Sequence, residues 1–131
     1  MTDIKTNKLE MLKEKRWVVV GATPHEEKFG YKVFKKLKKN NYEVYGINPK
    51  YKEIEGEPLF SDLDSLPVKP ECISVVVAPA ITEKLVEKAG DLGIEYIWFQ
   101  PGTYTSEIVK RAEELNMKPV FNDCVLVELG H

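Results

Sequence analysis

Apolar and polar positions alternate between two periods along this chain, and the switches mark its elements. Residues 17–20, Trp-Val-Val-Val, form an unbroken apolar run that reads as a buried strand, stopped by Gly21. Val33, Phe34 and Leu37 then recur at helical spacing among lysines, which predicts a helix over 30–40 closed by Asn40-Asn41. The strand-like run 43–47 stops at Asn48-Pro49. Leu59-Phe60 is at most a short strand, and 61–66 is one helical turn with Ser61 as its cap. Residues 73–78 make a third strand, stopped by Pro79. Thr82 then caps a helix that turns Leu85, Val86 and Ala89 inward and ends at Gly90 or Gly93. A fourth strand covers 95–99. Thr105 or Ser106 caps a helix carrying Ile108, Val109, Ala112 and Leu115, which ends at Asn116. A fifth strand covers 119–121, and Val125–127 adds a short piece. Ahead of all this, 4–15 reads as a leading helix with Ile4, Leu9, Met11 and Leu12 among charged residues.

Strands alternating with helices predict an α/β fold: one Rossmann-like, doubly wound parallel sheet of about five strands with helices on both faces. The expected order is 3-2-1-4-5 or a close variant, with Leu59-Phe60 as an edge strand. A chain of 131 residues fits one domain, 1–131, in which 1–15 is the leading helical segment. The ligand crevice of such a sheet lies outside the carboxyl ends of the strands, so four loops should converge there: 21–30, 48–52, 78–82 and 100–103.

Composition narrows the options. No apolar run approaches the roughly 20 residues of a membrane helix, and the N-terminal residues lack the apolar core of a signal peptide. Cys72 and Cys124 do not make a disulfide framework, which points to a reducing cytoplasm. The net charge of −2 argues against a nucleic-acid binder. Residues 28–52 nevertheless hold eight lysines against one acid, Glu43, a local net of +7. Lys35, Lys36 and Lys39 read as the solvated face of a helix. Lys28, Lys50 and Lys52 differ, because each sits in a loop beside a strand end.

The glycine loop predicts a phosphate site at a helix N-terminus, although it matches neither G-x-G-x-x-G nor a P-loop. Gly21 stands first, Thr23 takes the place of the second glycine, and Gly30 follows. At the end of the second strand an ordinary NAD site wants a carboxylate for the ribose diol. Asn48-Pro49-Lys50 offers an amide and a cation instead, which suits a ribose that carries a phosphate. No Ser/His/Asp set and no metal-ligand spacing stands out. His25 reads as a solvent-facing loop residue, Cys124 as a packing residue, and Trp98 and Phe99 as core. Gln100 and Thr103 are pocket-lining candidates without an assigned role.

Several short pieces, in order, carry a resemblance: Val-Val-Gly-Ala-Thr after the first strand, Lys28-x-Gly-Tyr-x-Val into the first helix, Ile-Asn-Pro after the second strand, Val-Ala-Pro after the third, Ile-Trp-Phe-Gln-x-Gly after the fourth, and Asp-Cys near the end. Over residues 17–128 the chain resembles the stand-alone CoA-binding domains, small relatives of the nucleotide-binding domain of succinyl-CoA synthetase α subunits. It departs from them at Thr23, where many have Ser, and at Asn122-Asp123-Cys124, where many have Asp-Arg-Cys. The resemblance implies coenzyme A as the small-molecule ligand. Its diphosphate would meet Gly21, Ala22, Thr23 and the helix start at Lys28, Gly30 and Tyr31. Its adenosine would lie by Asn48 and Pro49, with Lys50 or Lys52 near the 3′-phosphate. Its pantetheine arm would run over Val77, Ala78 and Pro79 towards Thr82. Three competing readings remain: an NAD(H)-binding redox-sensing module, a subunit of a CoA-dependent ligase or transferase that needs a partner's catalytic residues, and a thiol-handling protein in which Cys124 forms a mixed disulfide with CoA. No residue pattern speaks to a homo-oligomer.

Overall fold

The computed structural model describes residues 3–129. The elements in chain order are α1 (Ile4–Lys13), β1 (Arg16–Val20), α2 (Phe29–Lys39), β2 (Glu43–Ile47), β3 (Glu53–Ile54), β4 (Glu57–Phe60), a 3-10 turn (Leu63–Ser65), β5 (Cys72–Val75), α3 (Pro79–Asp91), β6 (Tyr96–Phe99), α4 (Ser106–Glu114), β7 (Lys118–Val120) and α5 (Val125–Glu128). They build one sheet in the order β3-β4-β2-β1-β5-β6-β7. Every neighbouring pair is parallel except β3–β4.

The strands are apolar on both faces because helices cover both faces. Alternate residues of the central strands enter different cores. Val18, Val20, Ile73, Val75, Ile97 and Phe99 pack with Val86 and Ala89 of α3 and with Ile108, Val109 and Ala112 of α4. Trp17, Val19, Cys72, Tyr96 and Trp98 pack with Met11 of α1, with Val33, Phe34 and Leu37 of α2, and with Val125 of α5. Each fully buried large side chain contributes about 1.5–3 kcal/mol. The doubly wound architecture is therefore the expected one, and Trp98 and Phe99 are core residues.

The sheet has seven strands rather than about five. Leu59 and Phe60 lie in a strand as expected, β4, but the edge is the unforeseen β3, which pairs with β4 in a hairpin closed by Glu55 (φ 49°) and Gly56 (φ 88°). Two successive left-handed residues give the tight turn that matches strand twist, and β4 then pairs with β2 through Leu59 and Phe60. Smaller corrections concern caps. Asp62, not Ser61, caps the 3-10 turn by accepting from Ser65 N–H. α3 starts at Pro79, so Thr82 lies inside the helix, where its hydroxyl donates back to the carbonyls of Val77 and Ala78. Asn41 (φ 70°) and Asn116 (φ 68°) take the left-handed conformation expected after their helices, and Thr105 caps α4.

Candidate functional site

The helix after β1 packs on one face of the sheet and the helix after β5 on the other, while β1 and β5 are neighbours. The chain thus diverges between these two strands, and their carboxyl ends leave a crevice. Three neighbouring cavities occupy it. One of about 510 Å³ lies between the end of β2, the Ser61–Asp62 corner and α3. A second, of about 350 Å³, lies over the glycine loop, lined by Gly21, Thr23, His25, Lys28, Gly30, Asn48, Lys50 and Tyr51. A third, also about 350 Å³, is lined by Phe29, Val77, Ala78, Pro101, Gly102, Thr103 and Cys124. Val76 borders all three.

Two glycines make the junction. Gly21 has φ 105°, and a Cβ there would stand 2.6 Å from the Val76 carbonyl oxygen. A Cβ on Gly30 would stand 2.0 Å from the Gly21 carbonyl oxygen. Only residues without side chains let the β5–α3 loop and the start of α2 close on the glycine loop. The Gly21 N–H donates to the Ile47 carbonyl (2.9 Å). Anion-binding donors must therefore come from residues after it. The Thr23 hydroxyl accepts from His25 N–H (3.3 Å) and keeps its proton free to donate. The first-turn N–H groups of α2 have no intrahelical partner, and no side chain caps them.

Asn48 acts as a brace. Its Nδ2 donates to the Ala22 carbonyl (2.9 Å) and its Oδ1 accepts from Lys50 N–H (3.0 Å), which ties the loop after β2 to the glycine loop. Both polar atoms of that amide are thereby engaged within the protein. His25 is exposed and stands over the second cavity, its Nε2 2.9 Å from the Tyr51 hydroxyl.

Of the sequence-predicted set, Gly21, Thr23, Lys28, Gly30, Asn48, Pro49, Lys50, Val77 and Ala78 border the crevice. Ala22 is buried behind it. Pro79 and Thr82 lie in the first turn of α3, and neither they nor Lys52 border these three cavities. Tyr31 points elsewhere. Its hydroxyl donates to Glu55 in the β3–β4 turn, which pushes its pKa up to about 12. Much of the lysine excess on α2 is also answered by that hairpin, with Lys35 paired to Glu55 and Lys38 to Glu57.

The sequence reading did not place Ser61, Asp62 and Leu63, nor the α3 face formed by Ile81, Lys84, Leu85 and Lys88, in the crevice. The signal for the helix face was its i, i+3, i+4, i+7 spacing. Asp62 is the one carboxylate among the described residues that border the three cavities, and its Oδ1 caps the 3-10 turn. Gln100 is fully buried and bonded to Ser74 and Val125, so it supports the site from behind, while Thr103 borders the third cavity. Cys72 lies in the core, where burial pushes its thiol pKa up, and Cys124 is half-buried at the end of the third cavity. Among the described residues no cluster of His, Cys, Asp and Glu could hold a metal ion, and no helix is long and apolar enough to cross a membrane. His131 falls outside the described residues.

A crevice of this form lies at the switch point of a Rossmann-like, doubly wound α/β sheet, where such folds place their ligands. Residues 15–130 match the family described as a CoA binding domain, and the chain belongs to that family. It is 29% identical over 117 residues to an ADP-forming acetate–CoA ligase I of Archaeoglobus fulgidus, covering 82% of this chain and 17% of the ligase. The chain thus spans about a sixth of that relative's length. Among solved structures, a hypothetical protein from Pyrococcus horikoshii OT3 superposes with a TM-score of 0.88 at 32% identity, covering 96% of this chain and 89% of the other. A conserved hypothetical protein from Pyrococcus furiosus gives 0.82 at 32% identity, covering 87% and 98%.

Proposed function

We propose that this protein binds coenzyme A, free or acylated, across the crevice. The observation that carries the reading is the junction at Gly21 and Val76. There a cation-lined cavity beside the uncapped start of α2 adjoins, on one side, a large cavity with apolar walls and lysines at its margin and, on the other, an uncharged one. The diphosphate belongs in the middle, against the Thr23 hydroxyl, the first turn of α2, Lys28 and Lys50. Adenosine belongs in the 510 Å³ cavity between Pro49, Leu63 and the α3 face. The pantetheine arm belongs over Val77 and Ala78, with its thiol end near Cys124. Charge-assisted hydrogen bonds of about 1.5–3 kcal/mol each make two or three of them enough for much of the roughly 8 kcal/mol of a micromolar site.

This chain's residues bind and orient; no group among those bordering the crevice is set up as a nucleophile with its base. The kinship with an ADP-forming ligase favours a second reading, in which the same crevice presents CoA to catalytic residues of a partner. NAD(H) is the less favoured ligand, because Asn48 braces two loops and Asp62 caps a turn, so neither is arranged to take a ribose diol. Thermal shifts with CoA and NAD at equal concentration decide between the ligands. CoA should raise the melting temperature clearly and NAD little or not at all, and a larger shift with NAD overturns the assignment.

A further inference from the structure

The large cavity carries cations that no loop motif accounts for. Lys84 and Lys88 lie one turn apart on α3 and, with Ile81 and Leu85, border it from one side; Lys50 borders it from the end of β2. The two α3 lysines are not equivalent. Lys88 Nζ stands 2.6 Å from Asp64 Oδ2. Lys84 and Lys50 have no carboxylate partner among the described residues. The cavity therefore combines apolar walls with two free ammonium groups, one from each side, and its single carboxylate already caps a turn. A phosphate dianion placed there gains two charge-assisted contacts without breaking an existing ion pair.

We infer that Lys84 is the specificity-determining residue for a phosphate on the adenosine ribose, acting with Lys50 across the cavity, and that Lys52 takes no part. The ligand class this selects is an adenosine nucleotide phosphorylated on its ribose. The inference rests on the CoA reading and adds to it the helix that distinguishes CoA from dephospho-CoA. Lys84 is exposed on α3, away from both cores, so replacing it with methionine keeps the aliphatic stem and the helix while removing the charge.

The test is calorimetric titration of CoA and dephospho-CoA into the wild-type chain and into Lys84→Met, Lys50→Met and Lys52→Met, with melting temperatures confirming that each variant is folded. The wild type should prefer CoA. Lys84→Met should lose about tenfold or more in CoA affinity, the scale of one charge-assisted hydrogen bond, with little change for dephospho-CoA, and Lys50→Met should behave likewise. Lys52→Met should keep the wild-type ratio. Binding of both ligands with the ratio unchanged in Lys84→Met overturns this inference alone, as does a ratio that collapses in Lys52→Met. A wild type that binds neither ligand overturns the CoA reading and this inference with it.

Discussion

Replacing Gln100 with leucine should loosen the segment that carries Cys124. α5 has four residues, too few to hold a helix by itself. Its start is fixed from outside, because Gln100 Oε1 accepts from Val125 N–H (3.2 Å) and Gln100 Nε2 donates to Ser74 Oγ (3.0 Å). Just before it, Trp98 Nε1 donates to the Asp123 carbonyl (3.0 Å). Gln100 and Ser74 are both fully buried, so water cannot replace a lost partner. Leucine fills the volume and removes both bonds, leaving one backbone donor and one hydroxyl unpartnered at about 1–3 kcal/mol each. Together the loss should be about 2–6 kcal/mol, a fall in melting temperature of roughly 6–30 °C for a chain of this size. Urea unfolding followed by the fluorescence of Trp17 and Trp98 measures it. Gln100→Leu combined with Ser74→Ala should recover about 1 kcal/mol, since the stranded hydroxyl is then gone. A single variant within about 0.5 kcal/mol of wild type would show that these bonds do not hold the segment.

Two further outcomes follow from the geometry. Gly21→Ala should cost stability as well as ligand binding, by at least about 1–3 kcal/mol, because its Cβ meets the Val76 carbonyl at 2.6 Å in a left-handed backbone; wild-type urea stability in this variant refutes that. The carboxyls of Glu43, Glu55 and Glu87 are held below their ordinary 4.5 by hydrogen bonds from Tyr45 and Arg16, from Lys35 and Tyr31, and from Arg111 respectively. Their contribution is present above that value and is lost as pH falls through the lowered ones. Glu14, raised by burial and by Glu71, works in the opposite direction. The melting temperature should stay level from about pH 7 to 5 and fall below about 4.5; a level profile down to pH 3 refutes the balance.

The parallel architecture and the convergence of loops were readable because period and punctuation carry them: apolar runs end at Gly21, Asn48 and Pro79, and a doubly wound sheet brings such ends together. The hairpin was hidden because Glu55, a charged residue with a side chain, takes the left-handed turn position where glycine or asparagine is the usual signal. Tyr31 entered the site with Gly30 through the Lys28-x-Gly-Tyr resemblance, yet one residue along a helix is about 100° around it, which turns the ring towards the hairpin. Asn48 was read by chemical type as a group facing a ligand; it does border the crevice, and what the sequence could not show is that its amide also links two loops. The α3 face escaped because alternating lysine and aliphatic residues at its margin look like any solvent boundary. Only the position of the helix beside the end of β2 makes it a wall.

The sheet ends in ways that discourage it from growing. Lys118 N–H donates inward to Glu95 (2.7 Å), so the next residue, Pro119, faces the free side, where it has no N–H to offer. Its outward carbonyl already accepts from Asn7 Nδ2 of α1 (2.9 Å). At the opposite end β3 is only two residues long and is bent away by the Glu55–Gly56 turn. Another molecule therefore finds neither a long row of unpaired backbone groups nor a flat strand to template on. Among the described residues, both edges of the sheet are therefore closed to the strand-to-strand pairing by which sheets of different molecules join.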